Sequence, residues 1–261
     1  MTEWLALGAL SCVSTASTPQ NHRSFSTGFE STSGFSGFYL VPQNYQNAAS
    51  HNQVAGGTNG VAAHGGSYMH EGWIYGQGPD CPSWVNCNHR GYPTIQMHKT
   101  AQGSFSGTVF IEFYVYLNMT VADKQWFSFA TLSADRSDSW SRVVLVNLGN
   151  LNTGTANYMH LMHVPYHGQS VWKYQASSLN GGLAFPSSPQ WVKISVCLNM
   201  HPETGYAKVW QNDVLVSSAD VRGGCGLFEQ AHFGLYAIPT ISSGTVYNDD
   251  LTMQEVSVCP K

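Results

Sequence analysis

Apolar and polar residues alternate along Val109 to Leu117: Val109, Ile111, Phe113, Val115 and Leu117 share one parity, Glu112, Tyr114 and Tyr116 the other. A period of two is the mark of a β-strand with one face in a core. Trp191 to Leu198 repeats the pattern, with Val192, Ile194, Val196 and Leu198 inward. Further strands are predicted over Trp126–Leu132, Arg142–Leu148, Tyr158–Val164, Val171–Gln175, Tyr206–Val216, Ala231–Ala237 and Val246–Val258. Within Ala231–Ala237, Phe233, Leu235 and Ala237 point one way, His232 and Tyr236 the other. Arg90 to Lys99 reads as one more strand, with Ile95 and Met97 inward and Tyr92, Thr94, Gln96 and His98 on the opposite face. Residues 24–40 give short strands between glycine turns, and 41–90 give long polar loops around a few short strands. No segment has a sustained helical period, and no repeat recurs at a fixed spacing. About a dozen short strands with turn signals between them predict an all-β sandwich of two antiparallel sheets. It forms a single domain over 24–261, preceded by a separate segment, 1–23.

Composition narrows the class. Only 10% of the 261 residues are charged, against about 25% in an ordinary domain. Aromatic residues make up 13%, and there are 26 glycines; together these suit an extracellular β protein. A formal net charge of −4 gives no electrostatic basis for binding nucleic acid. The six cysteines include no Cys-x-x-Cys pair, which argues against a zinc site and for a partly disulfide-bonded, secreted or cell-surface chain. Cys81 and Cys87 flank a short loop, and one pair among Cys197, Cys225 and Cys259 is expected, with the pairing open. Trp4 to Ser17 is apolar and rich in small residues but too short to span a bilayer as a helix. It reads as a signal remnant lacking the positive n-region, and Leu-Ser-Cys12 resembles a lipoprotein attachment site.

Two stretches carry a family resemblance. One is Trp191 to Trp210, a "W-v-k-i" strand turning into Gly205-Tyr-Ala-Lys-Val-Trp210. The other is Phe233-Gly-Leu-Tyr236 followed by Val246-Tyr-Asn-Asp-Asp250-Leu. With Gly28-Phe29-Glu30 they resemble the concanavalin A-like jelly rolls, lamin-G-like modules and polysaccharide lyases among them, over most of the chain after residue 24. Gln96-Met97-His98 is similar to the Gln-x-His strand of the jelly-roll alginate lyases. That resemblance implies a metal-independent β-elimination in a concave-sheet cleft. Arg90 and Gln96 would neutralise a uronate carboxylate, with His98 and Tyr236 as base and acid. The chain departs from that family in two ways. Its Arg-x-Glu strand is not evident, and His232-Phe233-Gly234-Leu235-Tyr236 lacks the Lys of the late Tyr-x-Lys-x-Gly-x-Tyr motif. The expected substrate contacts are Tyr92, Lys99, Glu112, Tyr114, Tyr116, His160, His163, Trp172, Tyr174 and His232. A lectin or binding module using the same face, with Trp172, Tyr114 and Tyr116 stacking on sugar, fits the composition nearly as well. A structural or adhesive surface protein is the third class.

Other chemistries fit less well. The paired carboxylates of a glycosidase are missing, since Glu112 stands alone on its strand. There is no Gly-x-Ser-x-Gly elbow and no His-Glu-x-x-His. His160 and His163 have opposite parity, so a shared metal is not expected on one strand unless the chain turns at Pro165. Glu30 and Asp250 resemble the early and late acidic ligands of a structural Ca²⁺ in jelly-roll modules, where hard oxygen donors suit that ion.

Overall fold

The computed structural model describes residues 23–31, 38–39, 48–80, 87–100, 102–136, 140–149, 156–166, 169–173 and 182–260. Two eight-stranded antiparallel sheets make up the fold. The first sheet contains β1 (Ser24–Thr27), β3 (Ala49–Ala55), β4 (Tyr68–Ile74), β8 (Thr108–Asn118), β13 (Trp191–Asn199), β14 (Tyr206–Gln211), β15 (Val214–Asp220) and β18 (Gly244–Val256). Its order is β15-β14-β13-β8-β18-β4-β3, with β1 also on β18. The second contains β2 (Phe38–Tyr39), β5 (His89–Gly91), β6 (Thr94–Gln96), β9 (Trp126–Ser133), β10 (Val143–Gly149), β11 (Tyr158–Tyr166), β12 (Gln169–Lys173) and β17 (Gln230–Ala237). Its order is β12-β11-β10-β9-β17-β6-β2, with β5 also on β17. A two-stranded ribbon, β7 (Phe105–Ser106) and β16 (Leu227–Phe228), completes the jelly roll.

The inward parities of β8, β13 and β17 meet between the sheets in one core. Phe113 of β8 meets Phe233 of β17 edge to face, with ring centroids 5.2 Å apart, joining the two layers at their centre. The two sheets approach backbone to backbone where β4, β5 and β17 each supply a glycine. A Cβ on Gly72 would lie 2.4 Å from the Gly91 carbonyl oxygen, and one on Gly91 would lie 2.6 Å from that of Ser50. Beside them a buried chain runs from the Asn248 amide to His70 Nδ1 (3.3 Å) and from His70 Nε2 to His51 Nδ1 (3.2 Å).

Two strand predictions need correcting. Arg90–Lys99 is not one strand: β5 pairs with 235–237 of β17 and β6 with 230–232. Pro93, which has no N–H for the ladder, lies in the break. After Gln96 the chain coils into a 3-10 turn, Met97–Lys99, so His98 leaves the strand parity. Tyr206–Val216 is a hairpin, because Asn212 and Asp213 both adopt positive φ (47° and 69°). Asn and Asp tolerate that conformation, and the right-handed twist of a two-residue hairpin favours it. Cys197 bonds Cys259, clipping β13 to the segment after β18. Cys87 and Cys225 are disulfide-bonded as well. Cys12, Cys81 and the apolar run Trp4–Ser17 lie outside the described residues. Among the described residues no helix is long and apolar enough to cross a membrane.

Candidate functional site

The two sheets differ on their outward faces. In β8 of the first sheet burial alternates with parity, whereas in β10 and β17 of the second both faces are buried. Polar side chains on the outer face of the second sheet are therefore buried. Register aligns them in rows that cross the strands. Tyr236 lies opposite Arg90 on one side and Ser128 on the other. Ser128 pairs with Asn147, and Asn147 with His160. This row of five covers four strand spacings, roughly 19 Å. A parallel row holds Thr94, His232, Thr131, Leu145, Met162 and Trp172. A third begins with Gln96 and Gln230, followed by Ser133.

The Arg90 end is rich in aromatic rings. His232 is clasped between Tyr92 and Trp140, each ring centroid 3.8 Å away. Burial holds its imidazole well below the usual pKa, and the Arg90 charge adds to that. Tyr236 packs on Trp126 at 5.3 Å and accepts a hydrogen bond from the Asn88 amide (2.8 Å). Gln230 donates to the Asp135 carbonyl (2.7 Å), and Gln96 is 2% exposed beside it. At the other end, burial takes the His160 pKa down to about 4. Its Nδ1–H points at the Tyr158 carbonyl (3.4 Å), leaving Nε2 as the ring's acceptor. Asn147 is fully buried, and among the described residues neither its amide nitrogen nor its oxygen has a hydrogen-bond partner.

The expected residues separate into groups. Arg90, Tyr92, Gln96, His160, His232 and Tyr236 share the sheltered face. His98 does not; its ring nitrogen and backbone N–H both meet the Glu229 carbonyl (3.2 and 3.3 Å). Lys99 is exposed on the same turn. Glu112, Tyr114 and Tyr116 lie on the outer face of the first sheet, on the other side of the core. There Glu112 accepts from Ser195 Oγ (2.8 Å), Tyr114 stacks on His64 (3.5 Å), and Tyr116 meets Trp191 edge-on. His163 takes the parity of Val144 and faces the core side. Trp172 pairs with Met162 on the backbone, and Tyr174 lies outside the described residues. Reading from sequence missed Ser128, Thr131, Trp140, Asn147 and Gln230. An Asn within Val-Val-Leu-Val-Asn-Leu was the available signal, since an amide in an apolar strand calls for a partner.

Glu30 and Asp250 both come to the His64–Ser67 loop. Glu30 accepts the N–H groups of Ser67 (3.0 Å) and Tyr68 (3.1 Å), and Asp250 meets His64 Nδ1 at 2.6 Å. Asp249 accepts from the backbone of His64 and Gly65. Phe29 and Asp250 hold positive φ (56° and 49°). The carboxylates of Glu30 and Asp250 are hard oxygen donors of the kind that suits Ca²⁺, while the backbone groups recorded at this loop are N–H donors. Among the described residues no three His, Cys, Asp or Glu side chains gather as a metal cluster.

This architecture is an antiparallel two-sheet β-jelly roll. No family model and no curated protein matches the sequence. Among solved structures the chain is similar to the cellulose induced protein Cip1, at 13% identity over 87% of this chain and 95% of that one, with a TM-score of 0.54. Alginate lyase Aly36B matches at 10% identity over 72% and 81%, with a TM-score of 0.44. The binding domain of botulinum neurotoxin serotype C1 matches at 11% identity over 77% and 48%, with a TM-score of 0.42. At 13% identity the likeness to Cip1 is one of fold.

Proposed function

We propose that this chain is a secreted, carbohydrate-active protein that cleaves a uronate polysaccharide by β-elimination at the outer face of the second sheet. The observation carrying this reading is the cross-strand pair Arg90–Tyr236, a cation directly opposite a phenol, with His232 two positions along on the same face. The Arg90 guanidinium would take the carboxylate and stabilise the charge that builds on it as the C5 proton leaves. That C–H electron pair forms the C4–C5 double bond, the C4–O bond breaks, and Tyr236 gives its proton to the departing oxygen. Neutral His232 is the proton acceptor in place of His98. A bound carboxylate offsets the Arg90 charge that depresses the imidazole, so substrate raises its basicity. The disulfide Cys197–Cys259 supports an oxidising, extracellular setting.

One observation favours a second reading, a binding module without catalysis: both faces of His232 are covered by rings, an arrangement that suits recognition as well as proton transfer. Incubation with alginate, pectate and glucuronan separates the two. Growth of the ultraviolet band of a 4,5-unsaturated uronate establishes the lyase. Binding to these polymers without that band establishes the module.

Calcium enters this proposal as a structural ion only. Glu30 and Asp250 would hold it, tying the end of β1 to β18 and to the His64–Ser67 loop.

A further inference from the structure

Resting on the cleft reading above, a second observation concerns β9 and β10, further along the same face from Arg90. Asn147 is 0% exposed and Thr131 is 6% exposed. The amide nitrogen and oxygen of Asn147 and the hydroxyl of Thr131 have no hydrogen-bond partner among the described residues. A buried amide left without partners is costly to the fold, so such groups are kept where something else satisfies them. Both side chains lie on the sheltered face, Asn147 in the row of Arg90 and Tyr236, Thr131 in the adjacent row with His232. The neighbours of Asn147 in register and along its strand, Ser128, His160, Leu145 and Gly149, include no Lys, Arg, Asp or Glu. Ser128 is already turned onto the Ala130 and Val146 carbonyls (3.0 and 3.3 Å).

We infer that Asn147 and Thr131 form a subsite for an uncharged, hydroxyl-bearing sugar unit, two to three strand spacings from the uronate held at Arg90. An amide presents one donor group and one acceptor, which matches a pair of sugar hydroxyls, each able to give and accept. A carboxylate would find no cation among these described neighbours. The polymer recognised is accordingly mixed, carrying uncharged units as well as uronates.

Isothermal titration with two oligosaccharide probes of equal length tests this. One is from glucuronan, with a uronate at every unit, and one from hyaluronan, in which uronate alternates with an uncharged amino sugar. The intact protein is expected to bind the hyaluronan probe more tightly. Asn147→Leu is expected to weaken that binding about tenfold, the worth of one to two hydrogen bonds, and to leave the glucuronan probe nearly unaffected. Thr131→Val, of nearly the same shape, should act in the same direction. Unfolding stability of Asn147→Leu should be unchanged or higher, because an apolar group replaces an unsatisfied amide. Reduced stability would assign Asn147 to the fold, and unchanged affinity for both probes would remove the subsite; either overturns the inference. Failure of the cleft reading has a different signature: Arg90→Ala would leave binding of both probes intact. Absence of binding by the intact protein would overturn both.

Discussion

Acid should destabilise this protein through histidines buried in the neutral form, and His160 allows the effect to be measured at one residue. Burial lowers its pKa from 6.5 to about 4. As pH falls through that interval, the unfolded chain binds a proton that the folded chain refuses. Stability is therefore complete above the unfolded pKa and declines towards the folded one. The full interval corresponds to about 3 kcal/mol, of which about 2 kcal/mol is lost by pH 5. His51, also lowered to about 4 by burial, contributes with the same sign. Asp249 works against it: burial raises its carboxyl from 3.8 to about 6, which disfavours the folded state as pH rises through that range. Comparing the protein with His160→Gln cancels these shared contributions. Urea unfolding at pH 7 and about pH 5, with disulfides intact, should show the unsubstituted protein losing about 2 kcal/mol more than the variant. Equal losses would refute the claim that His160 is held neutral by burial.

Three further outcomes are expected. Gly72→Ala should lower the melting temperature sharply, because its Cβ would sit 2.4 Å from the Gly91 backbone oxygen of the facing sheet; calorimetry showing a change of under a degree would contradict that packing. Replacing Cys197 and Cys259 by Ser opens a link spanning 62 residues, and denaturant titration should report a loss of about 4 kcal/mol. Adding calcium to chelator-treated protein should raise the melting temperature, and Glu30→Gln should abolish the rise; no shift in the unsubstituted protein would remove calcium from the account.

Parity along the chain was informative about faces but silent about layers. The alternation of Val109 to Leu117 correctly separates core from exterior, yet Glu112, Tyr114 and Tyr116 lie across the core from His232 and Tyr236. Period two says which residues share a face of one strand, not which sheet that strand joins. Arg90 and Tyr236 were readable as candidates, but their opposition depends on long-range register. His98 was misplaced for a local reason: Pro93 interrupts the ladder and the chain coils after Gln96. The Asn212-Asp213 turn was visible in the sequence but was read through as strand. The rings around His232 come from β5–β6 and from Trp140, distant in sequence, so no local pattern announces them.

The most direct test of the central claim is the rate of formation of unsaturated uronate by the unsubstituted protein, Arg90→Ala, Tyr236→Phe and His98→Ala, each checked for folding. The account predicts that Arg90→Ala and Tyr236→Phe lose about a hundredfold or more, the range for removing one catalytic group. His98→Ala should keep most of its activity. Loss of activity in His98→Ala with Tyr236→Phe unaffected would contradict it.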